Sequence, residues 1–157
     1  MATTPLPPYR YAGARALVLL HEEQMRDFLA VWRQAAAAKL ALPATADPDY
    51  ASLETLLHHV LRAARGYLVW CCANLGLPAP GIPEAPAAER VAAEAESYLE
   101  ALLAGWRTPL AGIDEDRFGE EYPSRWRTVY CIDAMLEHAV VHPMRHAFQL
   151  RRLLAAR

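Results

Sequence analysis

Six histidines occur in this chain of 157 residues, and five fall in two groups, His58-His59 and His138, His142, His146. A neutral imidazole offers one lone pair to a divalent metal and is the commonest protein ligand for such ions. Residues four apart on a helix share a face, so His138 with His142, or His142 with His146, can grip one ion between them. A third imidazole from a facing segment completes a three-nitrogen set with positions left open. Three protein ligands with open positions is the pattern of catalytic rather than structural metal sites. The chemistry on offer is Lewis-acid activation of a bound water or thiol.

Such a site needs rigid elements to converge the rings. Proline clusters at the N-terminus, at Pro43 and Pro48, from Pro78 to Pro86, and at Pro109 and Pro123 divide the chain. Between them run segments rich in Ala, Leu, Glu and Arg, which favour helix. Helices are predicted over Tyr11–Leu40, Tyr50–Leu75, Ala87–Trp106 and Arg127–Ala155, with Asp47 and Asp49 before the second and Pro123-Ser124 before the fourth as start signals. No segment alternates with period two for long enough to suggest a sheet. The fold class is therefore all-α, a four-helix bundle in one domain over residues 1–157. The long last linker, with Gly112, Gly119 and an acidic run, has room for a short extra helix.

At about 100° per residue, Cys131, Met135, His138, His142, His146, Gln149 and Leu153 fall within an arc of about 80° on the fourth helix. That arc is mostly apolar and should face the interior. On the second helix His59 shares a side with Leu56, Val60, Ala63, Tyr67 and Trp70, whereas His58 goes with Glu54, Arg62 and Arg65. His21 lines up with Leu17, Val18, Met25, Phe28 and Trp32 on the first. Three helices thus send histidines inward, where an unsatisfied polar group costs about 1–3 kcal/mol. Coordination removes that cost. Rotation alone leaves the pair His138/His142 and the pair His142/His146 both open. Pro143 lies within the latter and removes the hydrogen bond to the Ala139 carbonyl, which favours a kink.

Composition narrows the class of protein. Sixteen basic against eighteen acidic side chains give a net charge of −2, which speaks against nucleic-acid binding through bulk charge. The longest uncharged run, Gly66 to Pro83, holds three prolines and three glycines and cannot span a bilayer as a helix. The first residues lack the basic-then-apolar layout of a signal peptide. Cys71, Cys72 and Cys131 make no disulfide framework and read as buried, inert thiols. The expected setting is cytoplasmic.

Leu56-Leu57-His58-His59-Val60, taken with His142-Pro143-Met144-Arg145-His146-Ala147-Phe148-Gln149, resembles the DinB/YfiT-like metalloenzymes over nearly the whole chain. The resemblance implies a four-helix bundle whose metal ligands are His59, His142 and His146. Gln149 fits the glutamine that follows the family motif, and His138 fits a position often held by histidine. The family often ends the motif His-Arg-Gly-Gln, where this chain has His146-Ala147-Phe148-Gln149, and Pro143 between ligands is unusual. The softness of such ligands suits zinc, nickel or iron alike. By the same resemblance the reaction would be that of a transferase or isomerase using a low-molecular-weight thiol, or of a hydrolase, on a small-molecule substrate. His138, His21 and Gln149 are the candidates to orient ligands or handle a proton.

Arg145, Arg151, Arg152 and Arg157 complement the dipole at the end of the last helix, and Arg145 could also meet an anionic substrate. Leu136, Val140, Met144, Ala147 and Phe148 lie off the inward arc and suggest a homodimer interface, as is common in the family. A second reading, from another class, is a non-catalytic metal-binding or dimerisation bundle associated with stress.

Overall fold

In a computed structural model describing residues 5–156, four helices dominate: α1 (Ala12–Ala37), α2 (Leu53–Asn74), α3 (Ala88–Trp106) and α4 (Ile132–Ala155). The architecture is an all-α four-helix bundle, and a short 3-10 helix, Glu115–Gly119, occupies the last linker. Residues 1–4, where the signal-peptide reading begins, and Arg157 lie outside the described residues.

The helix boundaries differ instructively from those expected. Ser52, not Asp49, caps α2: its Oγ accepts from the Thr55 amide at 3.1 Å, and the Thr55 hydroxyl oxygen accepts from the Ser52 amide at 2.9 Å. Asp47 caps a separate 3-10 turn, Pro48–Tyr50, by accepting from the Asp49 amide at 3.0 Å. The fourth helix begins at Ile132 rather than Arg127, because the preceding residues form an antiparallel hairpin. Its strands are β1 (Glu121–Pro123) and β2 (Val129–Cys131), with Tyr122 opposite Tyr130. Three-residue strands are too short to print a period-two pattern. Cys131 ends the hairpin and caps α4, its Sγ accepting from the Ala134 amide at 3.4 Å.

Cross-links between helices fix their directions. Near the end of α1, Trp32 donates its indole N–H to the carbonyl of Leu53, at the start of α2, at 2.6 Å. Ion pairs Glu22–Arg107, Arg26–Glu100 and Arg33–Glu96 set α3 antiparallel to α1. The Tyr11 hydroxyl donates to Asp133, and Arg151 pairs with Asp27, so α4 runs parallel to α1. The order is up, down, down, up. Two consecutive parallel helices require a crossover, and the linker after α2 provides it by returning along that helix. Arg65 donates its Nε–H to the Ile82 carbonyl at 3.0 Å, and a His58 ring nitrogen meets the Pro86 carbonyl at 2.7 Å. Where this linker crosses α3, a Cβ on Gly105 would stand 2.4 Å from Ile82 Cγ1, so the close approach needs glycine.

A continuous apolar cluster including Met25, Phe28, Leu57, Leu68, Leu102, Trp106 and Met135 fills the bundle. Leu136, Val140 and Ala147, expected on outer faces of α4, are buried. The reason is that α4 packs lengthwise against α1 as well as facing α2, so its apolar arc is wide. Val141, Met144 and Phe148 remain exposed. Among the described residues no helix is long and apolar enough to cross a membrane.

Candidate metal centre

The 3-10 turn, the first half of α2 and the second half of α4 meet at one end of the bundle. There His59, His142 and His146 each offer a ring nitrogen within 4.8 Å of the others. His59 Nε2 lies 3.0 Å from His142 Nε2, and the rings of His142 and His146 stand 4.7 Å apart, edge to face. Ligand nitrogens around a tetrahedral ion with bonds of about 2.0–2.1 Å are about 3.3 Å apart. Small ring rotations would therefore suffice to admit a cation. His142 and His146 are 4% and 2% exposed.

Groups behind the rings decide which nitrogen faces inward. His59 Nδ1 lies 2.9 Å from Asp49 Oδ2, and a carboxylate can only accept, so the proton sits on Nδ1 and the Nε2 lone pair points to the cluster. Arg62 steadies the same carboxylate at 3.0 Å. His146 Nδ1 is 3.0 Å from Gln149 Oε1, which again leaves Nε2 free. His146 Nε2 and His142 Nδ1 are buried with no hydrogen-bond partner. Of the two, His146 Nε2 is a bare lone pair that a metal ion would relieve, whereas His142 faces the cluster through its other nitrogen, Nε2.

Burial also keeps these rings uncharged. Desolvation, then the neighbouring imidazoles and Arg145, push His142 down to about 2. Desolvation, Arg145 and His59 lower His146 to about 4, against the opposing bond to Gln149. His59 is lowered by desolvation although Asp49 pulls the other way. All three are in the neutral form that binds metal at neutral pH.

Tyr50 stands over the cluster, 5.3 Å from the His59 ring and 5.6 Å from that of His146. On the other side, His138 lies 6.1 Å from His142 and belongs to an aromatic group with Tyr67, Trp126 and Tyr130. Its ring is near the cluster without being one of the three that converge. A cavity of about 600 Å³ opens beside His146 and Gln149, with Arg145 on its wall.

The remaining candidates lie elsewhere. His21 stacks on Trp106 at 4.1 Å, between α1 and α3, with both nitrogens unpartnered. His58 is held by the crossover linker. Cys71 and Cys72 are buried thiols raised by desolvation. Two site residues escape a helix-by-helix reading: Asp49 and Tyr50, on the turn before α2. Their only signal was Asp-Pro-Asp-Tyr just upstream of the histidine pair, which also reads as an ordinary helix start. No family model, curated protein or solved structure matches the chain.

Proposed function

We propose that His59, His142 and His146 ligate a divalent transition metal, zinc, nickel or iron, in a DinB/YfiT-like metalloenzyme acting on a small molecule. The observation that carries this reading is a trio of neutral imidazoles, His142 and His146 buried and His59 half-buried, with His59 and His146 oriented from behind by Asp49 and Gln149 so that bare nitrogens converge. A bound metal would supply a Lewis acid that makes a water or low-molecular-weight thiol nucleophilic at neutral pH. The protein's own part is to fix the rings and shape the cavity. Asp49 raises the basicity of His59 and holds its tautomer, and Gln149 does the latter for His146. Tyr50 and the aromatic group around His138 flank the rings on two sides. A transferase, isomerase or hydrolase reaction fits such a site.

The experiment is elemental analysis of protein carrying no histidine tag, beside His59→Ala and His142→Ala. About one equivalent of a transition metal per chain is expected, and its loss in both variants, as for a site whose ligands act together. Absence of metal, with none taken up from added zinc, nickel or iron, would return the histidines to the core.

One feature supports a further role for α4. Val141, Met144 and Phe148 form an exposed apolar stripe at helical spacing, which a second copy of the chain would cover in a homodimer. On the competing reading, a non-catalytic metal-binding or dimerisation bundle, stripping the metal would lower the melting temperature and abolish no reaction.

A further inference from the structure

Most arginines of this chain have a carboxylate partner. Arg10 pairs with Asp114, Arg62 with Asp49, Arg65 with Glu84, Arg90 with Glu94, Arg107 with Glu22 and Arg151 with Asp27. Among the described residues Arg145 and Arg152, like Arg15, Arg125 and Arg127, stand outside these pairs, and what sets the two apart is their place. Both border the cavity of about 600 Å³ beside the histidine cluster, and neither stands in an ion pair with any described residue. Seven residues apart, they lie on nearly the same side of α4, about 10 Å apart along its axis. No aspartate or glutamate lines the cavity. Its remaining wall is largely apolar, with Leu42, Leu56, Leu150 and Leu153, and it reaches Tyr50 and His146.

Two unneutralised guanidiniums repel cations, and their planar forks match the paired oxygens of a carboxylate. The leucines bind the opposite kind of group, an apolar chain or ring. We infer that the cavity takes an anionic small molecule with an apolar body, its carboxylate met by Arg145 and Arg152 and its body lying on the leucines beside His146. This names the substrate class of the metal-dependent site and rests on that reading for the chemistry, whereas the binding itself does not require the ion. The loop through Leu42 and Thr45 closes one side of the cavity, which suits a small ligand better than a polymer.

The test is calorimetric titration of the full chain with octanoate, its uncharged isostere octanamide, and acetate, before and after stripping with a chelator. Octanoate should bind saturably in both states, about tenfold or more tightly than octanamide or acetate, as expected where a charged group meets guanidinium donors. Arg145→Ala combined with Arg152→Ala should bring octanoate down to the level of octanamide, with an unchanged circular dichroism spectrum. Arg90→Ala, on the exposed side of α3, should leave all three titrations as they were. Equal binding of octanoate and octanamide, or an unaffected double variant, would overturn the inference. So would octanoate binding that disappears with the metal, since the ion rather than the arginines would then hold the carboxylate. Octanoate binding that persists in protein unable to take up any metal would uphold the anion site and remove the metalloenzyme reading.

Discussion

Asp49 and Gln149 approach the histidine cluster from different elements and do the same work, holding an imidazole by its outer nitrogen so that the inner one is bare. Removing such a support typically weakens metal binding about 10- to 100-fold. Asp49→Ala should show that loss in competition with a chromophoric chelator; unchanged affinity would leave Asp49 with a role in its turn alone. His21 raises a different matter, because it is buried without a hydrogen-bond partner. Desolvation lowers it to about 3, against an unfolded value of about 6.5. The unfolded chain therefore binds the proton more readily across that interval. The neutral ring's contribution is complete above about pH 6.5 and is lost as pH falls toward about 3. By pH 4.5 the loss amounts to about 2–3 kcal/mol. His21→Leu, unfolded with denaturant across this range in the presence of chelator, should give an acid limb shallower by about 1.4 kcal/mol per pH unit. An unchanged limb would mean that the ring takes up its proton without leaving the core.

At the scale of elements, the turn before α2 is the part the site depends on most and the part the sequence disguised best. Rotation along α2 singles out His59 over His58, and the spacing on α4 brings His142 and His146 to one face, so the three converging rings were legible to that extent. Asp49 was not, because an acidic residue just ahead of a helix has a sufficient explanation as a cap. Only the Ser52–Thr55 box, one turn later, releases Asp49 to reach His59. The hairpin was illegible for another reason: three-residue strands carry too few positions to show alternation, and Val129 and Tyr130 read equally well as the start of α4. Ser52→Ala should lower stability by about 1 kcal/mol, the usual effect of losing an N-cap, and thermal unfolding would register it. Metal affinity should fall much less than in Asp49→Ala, because the cap positions the turn without touching a ring.

For the whole molecule, the exposed stripe of Val141, Met144 and Phe148 leads to an expectation about assembly. Light scattering at micromolar concentration should return twice the chain mass. Phe148→Glu with Met144→Glu should return the mass of one chain, by placing charge in the contact. A single-chain mass for the unaltered protein would refute the dimer. The up, down, down, up order has a consequence of a different sort. The parallel pair α1 and α4 is knit by Tyr11 with Asp133 and by Asp27 with Arg151, contacts 122 and 124 residues apart in sequence. Bundles whose helices pair with their sequence neighbours owe their rapid folding to local contacts. Here the apolar face of α1 finds its principal partner only across a separation of 122 residues, from Tyr11 to Asp133, once the intervening chain has been brought back on itself. Such a chain has the composition of a fast-folding helical protein and the wiring of a slow one, with the face of α1 open to wrong partners until α4 arrives.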